Sequence, residues 1–211
     1  MDDVLKNKAR SDCNEWSVSI GRDQNGTYYV SSAEENETTI GTIPSVPYGD
    51  FVAYGHSHGC QGDGVPSIGD LYSFLEMLGN NPALQSMYVY GAGWDNASET
   101  YAINVYDRQA VIDFLNAYPK NTYWDSFTHA FMTGSTLSND YNNAIYRYNH
   151  NRDIHGVTYN YIEGAVALSY IMSKYNMGVT LTRRVNNDSF NIINAKDKSS
   201  PNGTIDITTC N

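Results

Sequence analysis

The sequence predicts an α+β protein: a mixed, mostly antiparallel central sheet flanked by helices, with a C-terminal helix and hairpin extension. Three observations carry this. β-rich runs such as Asn14–Asp23 and Gly49–His58 alternate with amphipathic stretches. Turn-forming groups, among them Asp23-Gln24-Asn25-Gly26, separate runs short enough to pair as hairpins. A third amphipathic stretch and a last pair of β-rich runs follow a long polar segment.

The 211 residues suit one large domain, or one domain with an extension, and can bury a core without metal or disulfide staples. A net charge of −10 argues against a nucleic-acid or anionic-membrane partner. No apolar run reaches the roughly 18–20 residues of a membrane span, and the first 16 residues lack the apolar core of a signal peptide. That leaves both a cytoplasmic home and secretion after removal of a leader open. Cys13, Cys60 and Cys210 are too few for a disulfide scaffold and form no C-x-x-C pair.

Taken in order, residues 5–12 predict a short helix, and Asn14–Asp23 and Thr27–Ala33 a hairpin around the Asp-Gln-Asn-Gly turn. The next strand is Gly49–His58. Ile68, Leu71, Phe74, Leu75 and Leu78 then recur at the spacing of one buried helix face, ended by Gly79 and Asn80-Asn81-Pro82. Ser86–Gly93 and Thr100–Asp107 read as neighbouring strands. Asp107 is the expected N-cap of a helix through Ala110, Val111, Phe114 and Leu115, which stops before Pro119.

The composition changes near residue 120. Residues 121–160 form a polar insertion rich in Tyr and Asn, without clean periodicity, expected as loops and short helices rather than a second core. Its tyrosines are candidate flanks of a substrate groove. Residues 161–211 predict a helix with Tyr161, Ala165, Leu168, Met172 and Tyr175 on one stripe and Gly178 as its cap, then a hairpin packing on the core. Residues 1–120 are thus the expected core.

The chemistry concentrates between residues 56 and 70. In a strand, residues i and i+2 share a face, so His56 and His58 project together and Ser57 points away. Two neutral imidazoles so placed suit Zn²⁺, and a catalytic zinc takes a third protein ligand while keeping one position open. Asp70, in the first turn of the next helix, is the obvious third. Ser67-x-x-Asp70 also reads as a helix-capping box, and the two roles are compatible. A hydrolase needs a general base as well. Glu15 on the early strand is the candidate, although a strand Glu is more often an ordinary surface residue.

Taken together, Glu15, His56-Ser57-His58 and Ser67-Ile68-Gly69-Asp70 resemble the JAB/MPN family of metallopeptidases with the JAMM motif. The family's divergent bacterial members are the most similar. The resemblance covers residues 5–118 and extends to the order of strands and helices. It implies an MPN/cytidine-deaminase-like fold and hydrolysis of a peptide or isopeptide bond in a peptide or protein substrate. By the same resemblance His56, His58 and Asp70 would hold Zn²⁺, Glu15 would be the base, and Ser67 would donate to the developing oxyanion. Three features depart from the pattern. Eight residues rather than seven separate His58 from Ser67, Gly59 stands where a proline is common, and Cys60 lies close to the expected metal. The alternative in a different class is a catalytically silent MPN-like binding or scaffold domain.

Other candidates carry less. Cys60 as a nucleophile would leave Glu15 and Ser67-x-x-Asp70 without work, and Asp63 is poorly fixed as a substitute ligand. Cys13 shares a face with Glu15, and Cys60 follows the His strand, which leaves a Cys13–Cys60 contact or disulfide open. His129, His150 and His155 lack ligand-like spacing, and Arg183-Arg184 reads as a solvated strand edge.

Overall fold

The computed structural model describes residues 1–11, 13–36, 43–59, 64–92, 98–155, 163–185, 189–197 and 205–210. The first half runs α1 (Asp2–Ser11), β1 (Glu15–Arg22), β2 (Tyr28–Val30), β3 (Glu34–Asn36), β4 (Asp50–Ser57), α2 (Ile68–Asn80), β5 (Ser86–Ala92) and β6 (Ser98–Val105). The second half runs α3 (Arg108–Ala117), α4 (Lys120–Tyr123), β7 (Trp124–Asp125), β8 (Ala130–Phe131), α5 (Thr136–His155), α6 (Glu163–Lys174), β9 (Val179–Val185), β10 (Asn191–Asp197) and β11 (Ile205–Cys210). The fold is α+β, with a mixed, mostly antiparallel sheet in the order β11-β10-β9-β6-β5-β4-β1-β2 and β3 beside β1. No helix among the described residues is long and apolar enough to cross a membrane.

Two compact units, each discontinuous in sequence, divide the chain. The first holds Met1–Val65, Met77–Asn104 and Arg183–Phe190. Here β4 lies antiparallel to β1 and parallel to β5, so both of its edges are paired and its last six residues are buried. Leu5 and Ala9 of α1 pack with Val18 and Tyr90. Tyr90 donates its hydroxyl to Asp2, which also pairs with Arg184.

Arg183 and Glu99 form an ion pair in this unit, each side chain only 11% exposed. Arg184 lies over the Phe190 ring. The expected solvated edge is therefore corrected: β9 is an interior strand, so its arginines are drawn into paired, largely buried positions. Removing one member of such a pair strands the other charge, which typically costs about 3–5 kcal/mol.

The second unit holds Pro66–Glu76, Val105–Thr182 and Asn191–Asn211. Asp107 caps α3 as expected, its carboxylate accepting from the Ala110 amide at 3.1 Å. Helix α6 is buried from Ala165 to Met172 on every side, not along one stripe. It packs on α5 and β10, and Ser169 donates to the Ile193 carbonyl at 2.6 Å.

Two further expectations are corrected here. The polar insertion contains a 20-residue helix, α5. Its inner face is Leu137, Ala144 and Tyr148, all buried, with half-buried Tyr141 between them. The end of α6 is also made differently. Asn176 adopts the left-handed conformation (φ 46°), while the Met177 amide donates to the Met172 carbonyl and the Asn176 amide to the Ser173 carbonyl. Gly178 instead allows a close approach, because a Cβ there would lie 2.0 Å from the Asp107 carbonyl oxygen. Strand β11 was not expected at all; it pairs antiparallel with β10.

Candidate metal centre

His56, near the end of the buried strand β4, and His58, the first residue after it, point their Nε2 atoms at each other across 3.4 Å. That is longer than a good N–H···N hydrogen bond. It matches the separation of about 3.3 Å expected of two nitrogens bound tetrahedrally to one zinc at ~2.0–2.1 Å. The rings are tilted by 49°, with centroids 5.2 Å apart. The His58 amide donates to the Tyr90 carbonyl at 2.8 Å, so the ladder to β5 continues past the end of β4 and holds the second histidine on its strand.

Ser67 and Asp70 form the expected capping box at the start of α2. The Ser67 amide donates to Asp70 Oδ2 at 2.7 Å, and the Asp70 amide donates to Ser67 Oγ at 3.0 Å. The Ser67 carbonyl accepts the first helical bond from Leu71. Asp70 is thereby held on a rigid turn, and the Ser67 oxygen is already an acceptor, which leaves its hydroxyl hydrogen to donate.

Among the described residues, His56, His58 and Asp70 form a group whose ligand atoms all lie within 4.8 Å of one another. Two imidazole nitrogens and one carboxylate oxygen are a donor set that suits zinc. The donors predicted from sequence are therefore brought together.

Glu15 opens β1, half-buried. The register pairs Ser17 with His56 and Trp16 with Ser57, so Glu15 is one step further along, level with the position after β4. Opposed residues of an antiparallel pair share a face. Glu15, Ser17 and His56 therefore project to the same side of the sheet.

Two residues join this site without having been read from the sequence. Asn36 is buried, pairs with Glu15 across β3, and donates from Nδ2 to Ser17 Oγ at 3.1 Å. No local signal marks it, since it sits in an acidic run with little strand propensity. Trp124 packs its indole against Gly69, with Nε1 3.5 Å from where a Gly69 Cβ would stand. That Nε1 is buried and meets no acceptor among the described residues.

Gly59 follows His58 so closely against the Cys13 backbone that a Cβ would fall 2.3 Å from the Cys13 carbonyl oxygen. The departure from proline thus has a steric reason. Cys13 is disulfide-bonded. Cys60 and Asp63 lie outside the described residues. His129 and His150 are not members of the metal-ligating group and instead pack against Trp124 and Tyr146. Compared with family models, with curated proteins and with solved structures, the chain finds no match in any of the three.

Proposed function

We propose that the chain is a zinc-dependent hydrolase of peptide or isopeptide bonds. The observation that carries this reading is the convergence of His56, His58 and Asp70 within 4.8 Å, with Glu15 on the face that His56 presents. When bound, zinc would act as a Lewis acid that makes water a competent nucleophile near neutral pH. His56, His58 and Asp70 would hold it. Glu15 accepts the proton of the attacking water and returns it to the departing amine nitrogen. Ser67 donates its hydroxyl to the oxyanion that develops on the attacked carbonyl. Glu15 is half-buried, so its carboxylate is not sealed from substrate.

A second reading, a catalytically silent MPN-like binding module, draws on the eight residues between His58 and Ser67, one more than the motif carries. Elemental analysis separates the two. About one zinc per chain is expected in the wild-type protein and in Glu15→Gln, with most of it lost in His58→Ala and Asp70→Ala. Glu15→Gln is expected to lose at least ~10²-fold in peptide hydrolysis. Folded wild-type protein that stays empty in added zinc would overturn the hydrolase reading.

A further inference from the structure

The hairpin β7–β8 carries three features that stability alone does not favour. Phe127, at its tip, is 91% exposed. His129 sits in the left-handed conformation at φ 54°, an unfavourable region for a residue with a side chain. Trp124, at its base, keeps a buried Nε1 without an acceptor among the described residues. A turn that keeps a strained residue, an orphan donor and a solvated ring together suggests a task outside the fold's own packing.

The hairpin is also rigid and well placed. Asp125 accepts from the Phe127 amide and the Thr128 hydroxyl, both at 2.9 Å, which fixes the turn. The hydrogen bond from the Phe127 amide, with that from Thr128, holds the Asp125 carboxyl below its ordinary value against the opposing effect of burial. Phe131 packs edge-on against Tyr72 of α2, ring centroids 6.3 Å apart. Trp124 lies against Gly69, between the two members of the Ser67–Asp70 capping box. From Trp124 to Phe127 the chain spans no more than about 10 Å.

We propose that this hairpin is the specificity element of the site, with Phe127, on a turn fixed by Asp125 above the Trp124–His129 contact, receiving an apolar side chain of a polypeptide substrate beside the Ser67–Asp70 turn. The proposal rests on the hydrolase reading for its substrate class. A net charge of −10 further disfavours acidic sequence in that substrate. Phe127 is a substrate-contact residue here and Trp124 a positioning residue. Neither takes part in bond cleavage.

The test uses dye-labelled octapeptides that are identical except at one position, occupied by Leu, Phe, Ser or Glu. Binding is measured by fluorescence anisotropy to the full chain, zinc-loaded and carrying Glu15→Gln, so that turnover is not needed. The Leu and Phe peptides are expected to bind at least tenfold more tightly than the Ser and Glu peptides. Adding Phe127→Ala should erase that difference while leaving zinc content and Tm unchanged. The Trp124 indole N–H resonance, assigned by its loss in Trp124→Phe, should move on titration with the Leu peptide. Equal binding across the set, no binding, or a preference that survives Phe127→Ala would overturn the proposal.

The wild-type protein tests the hydrolase reading separately. If the apolar preference tracks Phe127 but the peptides stay intact, hydrolysis falls and the hairpin stands as a binding element. If peptides are cut and Phe127→Ala leaves KM unchanged, the hairpin falls and hydrolysis stands.

Discussion

Ser67 and Asp70 satisfy each other: the amide of each donates to the side chain of the other, at 2.7 and 3.0 Å. One pair of residues thus starts α2 and steadies a metal-ligand candidate. The two roles separate by substitution. Ser67→Ala should cost about 1 kcal/mol, as loss of an N-cap does, and lower Tm by a few degrees with zinc still bound. Asp70→Asn keeps an acceptor for the Ser67 amide but loses the charge. It should therefore fold with a nearly unchanged Tm in EDTA and lose most of the Tm gain that zinc gives the wild-type protein. That gain is about 2.7 kcal/mol when free zinc is 100 times its Kd. Equal zinc-induced shifts in both proteins would remove Asp70 from the ligand set.

Gly178 and Asn176 make opposite predictions although both have positive φ. Gly178→Ala forces a Cβ onto the Asp107 carbonyl and should cost at least ~2 kcal/mol. Asn176→Gly keeps the left-handed cap with a residue better suited to it and should be neutral or stabilising by a few tenths of a kcal/mol. Urea denaturation of the two variants checks the pair, and similar losses in both would refute the assigned roles.

Asp140 gives the protein an acid-sensitive contact. Burial pushes its carboxyl upward, but hydrogen bonds from Lys174 and Tyr175 and the Lys174 charge together outweigh this and hold it below the ordinary value. A lowered carboxyl stabilises the fold above the unfolded pKa of ~3.9 and stops doing so as pH falls through the folded value. The Lys174 ammonium, which burial lowers but Asp140 and Tyr170 raise overall, sets the alkaline limit, lost as pH climbs through its elevated value. The pair is partly solvated, so Asp140→Asn should cost roughly 0.5–1 kcal/mol at pH 7. The Tm gap to wild type should close toward pH 3. A gap that stays constant with pH would assign the effect to packing.

Cys13 is in a disulfide, and the chain has three cysteines. Alkylation without reductant should therefore label a single thiol, and peptide mapping should link Cys13 to Cys60, the residue after Gly59. Labelling of all three thiols in freshly purified protein would contradict the bond.

Much of the site was legible because its signals are local. His-x-His shares a face through strand alternation, Ser-x-x-Asp is a capping box through helix geometry, and Asp107 announces α3 in the same way. What was not legible depends on distant partners. The inner face of α5 is built from Leu137, Tyr141, Ala144 and Tyr148, a correctly spaced stripe that the surrounding asparagines and the exposed Tyr146 obscure. Asn36 acquires its place only when β3 pairs with β1. Arg183 and Arg184 look solvated until β9 takes an interior position in the sheet.

The short passage from β4 into α2 supplies every donor of the candidate metal group. Its inheritance can therefore be traced through one contiguous stretch of gene. A deletion or recombination confined to that stretch would remove every donor of the candidate group while leaving the helical caps at Asp107 and Asn176 outside it.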